Sequence, residues 1–233
     1  MIKEGVAAGS SFQTPVFEEG SEGMRHVVLL GDSIFDNGRY VPGGPSVIEH
    51  LRRCLPDDWQ ATLLARDGAG TTEMTRQFEQ LPADATHLVL SVGGNDALDY
   101  SGLLLHEPAI SFAEVLSQLA EIQERFRRDY RGVLERALAY SKPAAVCTVY
   151  DAIPGLDPVE RAGLCLFNDV ILREAFQARM PVIDLRLVCT DAADYSRTSP
   201  IEPSAIGGGK IARSIARLVT EYDFHGEGSR VFA

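Results

Sequence analysis

Five short apolar runs punctuate the chain: HVVLLGDS (26–33), ATLLAR (61–66), THLVLSVGG (86–94), AAVCTVYD (144–151) and PVIDLR (181–186). They are too continuously apolar for strands with one wet face, so they predict strands covered on both faces. Between and after them, apolar residues recur at helical spacing at about 44–55, 71–80, 111–141, 158–179 and 205–221. Alternating strand and helix with buried strands predicts an α/β protein, with a five-stranded parallel sheet between two helical layers. Right-handed crossovers make it doubly wound, and in such sheets chemistry collects at the carboxyl ends of the strands. The 111–141 helix has a charged face opposite its apolar one and reads as a packing element.

The first 23 residues mix Gly, Ser and Glu without periodicity and predict a flexible extension. The domain is expected over 24–224, with 225–233 as a C-terminal tail. Phe12, Val16 and Phe17 leave open docking on a neighbouring chain, and with it a homodimer.

Charge narrows the partners. With 22 basic and 33 acidic residues, the net charge of −11 argues against nucleic acid and against an anionic membrane surface. No apolar stretch approaches the roughly 20 residues of a membrane-spanning helix. Cys54, Cys147, Cys165 and Cys189 lack metal-type spacing, and Cys147 and Cys189 sit in apolar runs as buried thiols would. A reducing cytoplasm is the expected location. No close-spaced set of oxygen or nitrogen ligands predicts a metal, and no cofactor is implied.

Four strand ends carry polar clusters: GDSIFDN, RDGAGTT, SVGGNDALD and YDAIPG. Any one of these is ordinary turn chemistry. Together they offer a hydroxyl at Ser33, an unobstructed N–H at Gly68 and an amide donor at Asn95, the kind of donors a developing oxyanion needs. Asp36 and Asn37 read as caps for the following segment, Asp96 as the residue fixing the turn that aims Asn95. Asp191 and Asp194 are candidates to pair with Arg197.

GDSI (31–34), DGAG (67–70) and GGND (93–96), in this order and spacing, resemble the first three blocks of the SGNH hydrolases, the GDSL-type esterases and lipases. The resemblance covers roughly Met24 to Tyr222. It implies a flavodoxin-like three-layer α/β/α sandwich that hydrolyses ester or thioester bonds in a small-molecule substrate. Ser33 would be the nucleophile, beside Asp32, with Ser33 N–H, Gly68 N–H and the Asn95 side chain holding the oxyanion.

The fourth block departs from the family pattern. Where that pattern has Asp-x-x-His ahead of Pro and a small polar residue, this chain has Ser199 and Glu202, followed by Pro203 and Ser204. Serine needs a base. In one reading Glu202 is that base, raised by burial from its ordinary range and oriented by a hydrogen bond from Ser199. An aspartate behind a glutamate would repel it, so the two changes agree electrostatically. In a second reading a histidine is recruited from His26, His50, His87, His106 or His225, with His106 favoured because its segment follows GGND. His50 is expected to face solvent. In a third, acyl transfer is lost and the pocket only binds.

Overall fold

The computed structural model describes residues 23–106, 111–224, 226 and 228–233, with backbone only for 101–106. The expected extension at 1–23 lies outside the described residues, Gly23 excepted. The sheet has the strands β1 (Arg25–Gly31), β2 (Trp59–Leu63), β3 (His87–Ser91), β4 (Ala144–Cys147), β5 (Val182–Ile183) and β6 (Val231–Phe232). They lie in the order β2-β1-β3-β4-β5-β6, all parallel. The helices are α1 (Val47–Cys54), α2 (Met74–Phe78), α3 (Gly94–His106), α4 (Phe112–Ala139), α5 (Pro158–Gln177), α6 (Leu185–Val188) and α7 (Ala205–Glu221).

Alternate residues of β1 explain the three layers. Val27 and Leu29 pack with Val47 and Leu51 of α1 and with Ile211 and Ile215 of α7. Val28 and Leu30 face the other way, onto Phe126 and Leu134 of α4 and Ile171 of α5. β1 is therefore buried on both sides, as its continuous apolar run requires. Among the described residues, no helix is long and apolar enough to cross a membrane.

Two expectations need correction. The sheet has six strands and not five, because Val231 and Phe232 of the expected tail pair with β5. Phe232 is buried, and burying it on an open sheet edge outweighs the weak local strand signal of two residues. The segment after GGND is the helix α3, where no helix was expected. Its Gly, Asn, Asp and Ser residues mask the helical pattern that tertiary packing stabilises.

The end of β1 is closed tightly. The buried Gln77 side chain accepts from Gly31 N–H at 2.7 Å and donates to the Gly31 carbonyl at 2.8 Å. Gln77→Leu preserves the approximate size but leaves the Gly31 N–H without that partner. A buried orphaned backbone donor costs about 2 kcal/mol. Urea denaturation is expected to show the loss as a lower midpoint with an unchanged slope.

Candidate active site

Gly31 ends β1 in a conformation only glycine adopts freely, φ +132°, and an added Cβ would lie 1.8 Å from the Ser91 carbonyl oxygen. That close approach to β3 turns the chain sharply outward. Asp32 N–H then donates to the Ser91 carbonyl at 3.0 Å, while the Asp32 carbonyl accepts from Phe35 and Asp36 N–H at 3.2 and 3.1 Å. The Asp32 carboxylate folds back to accept from Ile34 N–H at 3.0 Å. Ser33 sits within this turn, buried, and its N–H donates to no protein acceptor among the described residues.

Glu202 arrives from the opposite end of the domain on a braced loop. Tyr195 bridges to Pro203 in antiparallel fashion, and Ser196 N–H donates to the Glu202 carbonyl at 2.8 Å. Tyr150 donates its hydroxyl to the Ile201 carbonyl at 2.7 Å. Asn37 donates to the Pro203 carbonyl at 3.1 Å and accepts from Val47 N–H, the first turn of α1, at 2.9 Å. Asn37 makes no side-chain cap for the short 3-10 helix that follows it at 38–40; it clamps the Glu202 loop to α1 instead, and Asp36 accepts from Asp67 N–H at 3.0 Å. Gly207 opens α7 so close to this loop that a Cβ would lie 2.1 Å from the Asp194 carbonyl oxygen.

The Ser33 hydroxyl lies close enough to the Glu202 carboxylate to favour its charged form. Burial acts more strongly in the other direction, aided by Asp67 and Asp36, and raises the Glu202 pKa from 4.5 to about 7. Oε2 of Glu202 is buried with no hydrogen-bond partner. Ser199 therefore does not orient the carboxylate as expected: what it contributes is its backbone carbonyl, accepting from Glu202 N–H at 3.0 Å. Asp32 is also shifted upward, from 3.8 to about 8, by burial first and then by Glu202 and Asp96, against the Ile34 hydrogen bond. Both acids are thus biased toward their neutral forms, and charge on Glu202 adds to the shift of Asp32.

Asn95, on the first turn of α3, donates one amide hydrogen to the Ala69 carbonyl at 3.0 Å. Its second amide hydrogen remains for a ligand. Asp96 accepts from the Thr71 hydroxyl at 2.6 Å and from Thr71 N–H, holding the Gly68–Thr71 turn against α3. Gly68 occupies that turn at φ +81° with an N–H that donates to no protein acceptor among the described residues. It is exposed and does not line the cavity that Asp32, Ser33, Asn95 and Glu202 share.

That cavity, about 160 Å³, runs between α3, α4 and α5. Leu119 and Ile122 of α4 line it, so the helix expected only to pack also builds the site. The amphipathic pattern of α4 does not distinguish a residue facing a core from one facing a cavity.

Three of the histidines, His26, His50 and His87, lie away from this cavity. His26 contacts Asp84 and Thr62 at the amino end of the sheet, and His87 packs on Trp59 and Phe224, where burial lowers its pKa to about 4. His50 does not face solvent as expected: it packs against Gly209 of α7 with a buried Nε2. The His106 side chain and His225 lie outside the described residues. Asp191 and Asp194 pair with Lys210 of α7, at 3.1 and 2.7 Å, instead of Arg197, because α7 brings the ammonium directly beneath the buried Asp194. Among the described residues, no group of three or more His, Cys, Asp or Glu side chains gathers as metal ligands would.

Residues 29–207, from β1 to the first turn of α7, match the model of the GDSL-like Lipase/Acylhydrolase family. The chain belongs to that family. The acylhydrolase fold is shared with an extracellular lipase from Streptomyces rimosus (TM-score 0.60, 18% identity, 84% of this chain and 100% of that one). A variant of the acetyl xylan esterase Axe2 from Geobacillus stearothermophilus superposes with TM-score 0.61 at 16% identity over 85% of this chain and 95% of its own. LAE5, an alpha/beta hydrolase enzyme from the metagenome of Lake Arreo, gives 0.61 at 17% identity over 84% and 94%. No curated protein sequence matches the chain.

The raised Glu202 pKa makes a stability prediction. A carboxyl group with a folded pKa of about 7 against 4.5 favours the fold in its neutral form, so that contribution is lost as pH rises through about 7. Glu202→Gln is expected to melt close to wild type at pH 4.5. At pH 8.5 it should melt higher by on the order of 5 °C, measured by scanning fluorimetry.

Proposed function

We propose that this GDSL-like acylhydrolase is a serine esterase in which Glu202 takes the place of a histidine base. The observation that carries the reading is that the buried Ser33 and Glu202 side chains line the same largely apolar cavity, near enough for the hydroxyl to favour the charged carboxylate. Family membership supports ester hydrolysis at the coarse level, and the Streptomyces lipase and the acetyl xylan esterase agree with it in fold.

On this reading Glu202 accepts the Ser33 proton as Oγ attacks the ester carbonyl. The tetrahedral oxyanion takes hydrogen bonds from Ser33 N–H and the second amide hydrogen of Asn95; Gly68, outside the cavity, is not assigned a part in it. Protonated Glu202 then gives its proton to the departing alkoxide, leaving acyl-Ser33 and an alcohol. Glu202 next deprotonates a water that attacks the acyl carbon. Returning that proton to Ser33 Oγ frees the acid and restores the site. A glutamate at its ordinary pKa of about 4.3 would be weaker than histidine by roughly 3 kcal/mol, and a pKa of about 7 removes that deficit.

Hydrolysis of p-nitrophenyl butyrate tests the assignment. Ser33→Ala and Glu202→Gln should each lower kcat by about 10³ or more, and the double variant should be scarcely worse, since members of one catalytic unit are not additive. The wild-type rate should rise through a single ionisation with a midpoint near 7, following Glu202 deprotonation. Wild type and Ser33→Ala both at background would instead favour a pocket that binds without acyl transfer.

Asn95→Ala provides an independent check on the oxyanion donors. It should reduce kcat about 10²–10³-fold while KM stays within a few-fold, because the donor acts on charge that appears in the transition state. Full kcat in that variant would remove Asn95 from the chemistry.

A further inference from the structure

The cavity has one chemically distinct end. Asp32, Ser33, Asn95 and Glu202 gather there, and beyond them the walls are apolar, formed by residues such as Leu119, Ile122, Val149, Leu164 and Phe167. Among the described residues the walls include no Lys, Arg or His, and Glu160 is the only other charged lining residue. An alcohol or sugar would find few partners for its hydroxyls along such walls, whereas a hydrocarbon chain would be desolvated by them.

Volume then limits length. A dry apolar cavity of roughly 150 Å³ accommodates benzene, six carbon atoms. At about 160 Å³ this one suits a chain of similar carbon count. An acetyl group would leave most of it unfilled, and a long fatty chain would have to leave it. Acidic groups at Asp32, Glu160 and Glu202, with no cation in the lining, oppose an acyl chain that carries its own carboxylate.

Gly163 marks a point where this space is open to change. It lines the cavity from α5, and a Cβ built on it meets no atom within 4 Å. A larger side chain there takes up free volume instead of displacing a neighbour.

Building on the esterase reading, we infer that the acyl group this site accepts is neutral and about six carbons long. The α3–α4–α5 walls would set that length, and Gly163 would be one of its determinants.

The test measures kcat/KM for p-nitrophenyl acetate, butyrate, hexanoate, octanoate and decanoate. The value should rise about fourfold per methylene up to hexanoate, as expected for burying each CH₂, and fall by decanoate. Gly163→Leu should lower the hexanoate-to-acetate ratio at least tenfold and move the maximum to a shorter chain. A methyl ester of hexanoate should be preferred over the monomethyl ester of adipate at least tenfold. A flat length profile, or an equal loss for every chain length in Gly163→Leu, overturns the inference while leaving the esterase reading in place.

Binding separates the two claims where turnover is absent. Hexanamide should raise the melting temperature of Ser33→Ala more than acetamide does, and Gly163→Leu in that background should abolish the difference. Absence of Ser33-dependent hydrolysis with this binding intact would sink only the catalytic reading. Equal shifts from both amides would sink the chain-length inference.

Discussion

Everything at the carboxyl edge of the sheet depends on how closely β1 passes β3 at Gly31. The space a Cβ would need is taken by the Ser91 carbonyl, so the backbone adopts φ +132° and turns out of the sheet at that residue. Gln77 satisfies both Gly31 backbone groups from the side, which lets the strand end inside the protein without an unpaired N–H. Asp32 and Ser33 come immediately after the turn and have no freedom to drift along the sheet. A bulkier residue at 31 would push the whole turn away from β3, and Ser33 with it.

The partner of Ser33 is positioned by a second, independent set of restraints. Glu202 is far along the chain, and its loop is tied to the segment after β4 by Tyr150, to α1 through Asn37 and to its own preceding segment by Ser196. None of these bonds uses the Glu202 carboxylate. The carboxylate is left with the Ser33 hydroxyl, a buried oxygen without a partner and a pKa raised mainly by loss of water. This is costly for stability at alkaline pH, and such local costs are characteristic of sites tuned for reaction. Burial raises the Asp32 pKa as well, with Glu202 adding to that shift, so the two acids oppose each other's ionisation.

Much of this was legible in sequence because the information was local. GDS after an apolar run, GGND after another and the paired Ser199 and Glu202 all sit at recognisable positions relative to strands and the last helix. What escaped the sequence was decided by groups distant along the chain. Asn37 looks like a simple cap until Pro203 arrives beside it, and Lys210 replaces Arg197 as the partner of Asp194 only because α7 docks where it does. β6 is two residues whose strand character comes from the open edge of β5. Leu119 and Ile122 carry the same helical periodicity as neighbouring core residues, yet border the cavity.

The apolar walls link two properties that would otherwise be separate. Water excluded by Leu164, Phe167 and their neighbours is water that cannot solvate Glu202 or Asp32, so the surface suited to a hydrocarbon chain also raises the basicity of the carboxylate. A histidine base gains from an anion behind it and tolerates a wetter site. A glutamate base gains from the opposite conditions: a dry surrounding and no second ionised acid close by. Polar substitutions in the walls, introduced to admit hydroxylated acyl groups, would let water return to the carboxylates and draw the Glu202 pKa back toward 4.5. On the proposed mechanism, substrate preference and base strength therefore cannot be tuned independently in this protein. The choice of glutamate ties the chemistry to an apolar acyl group.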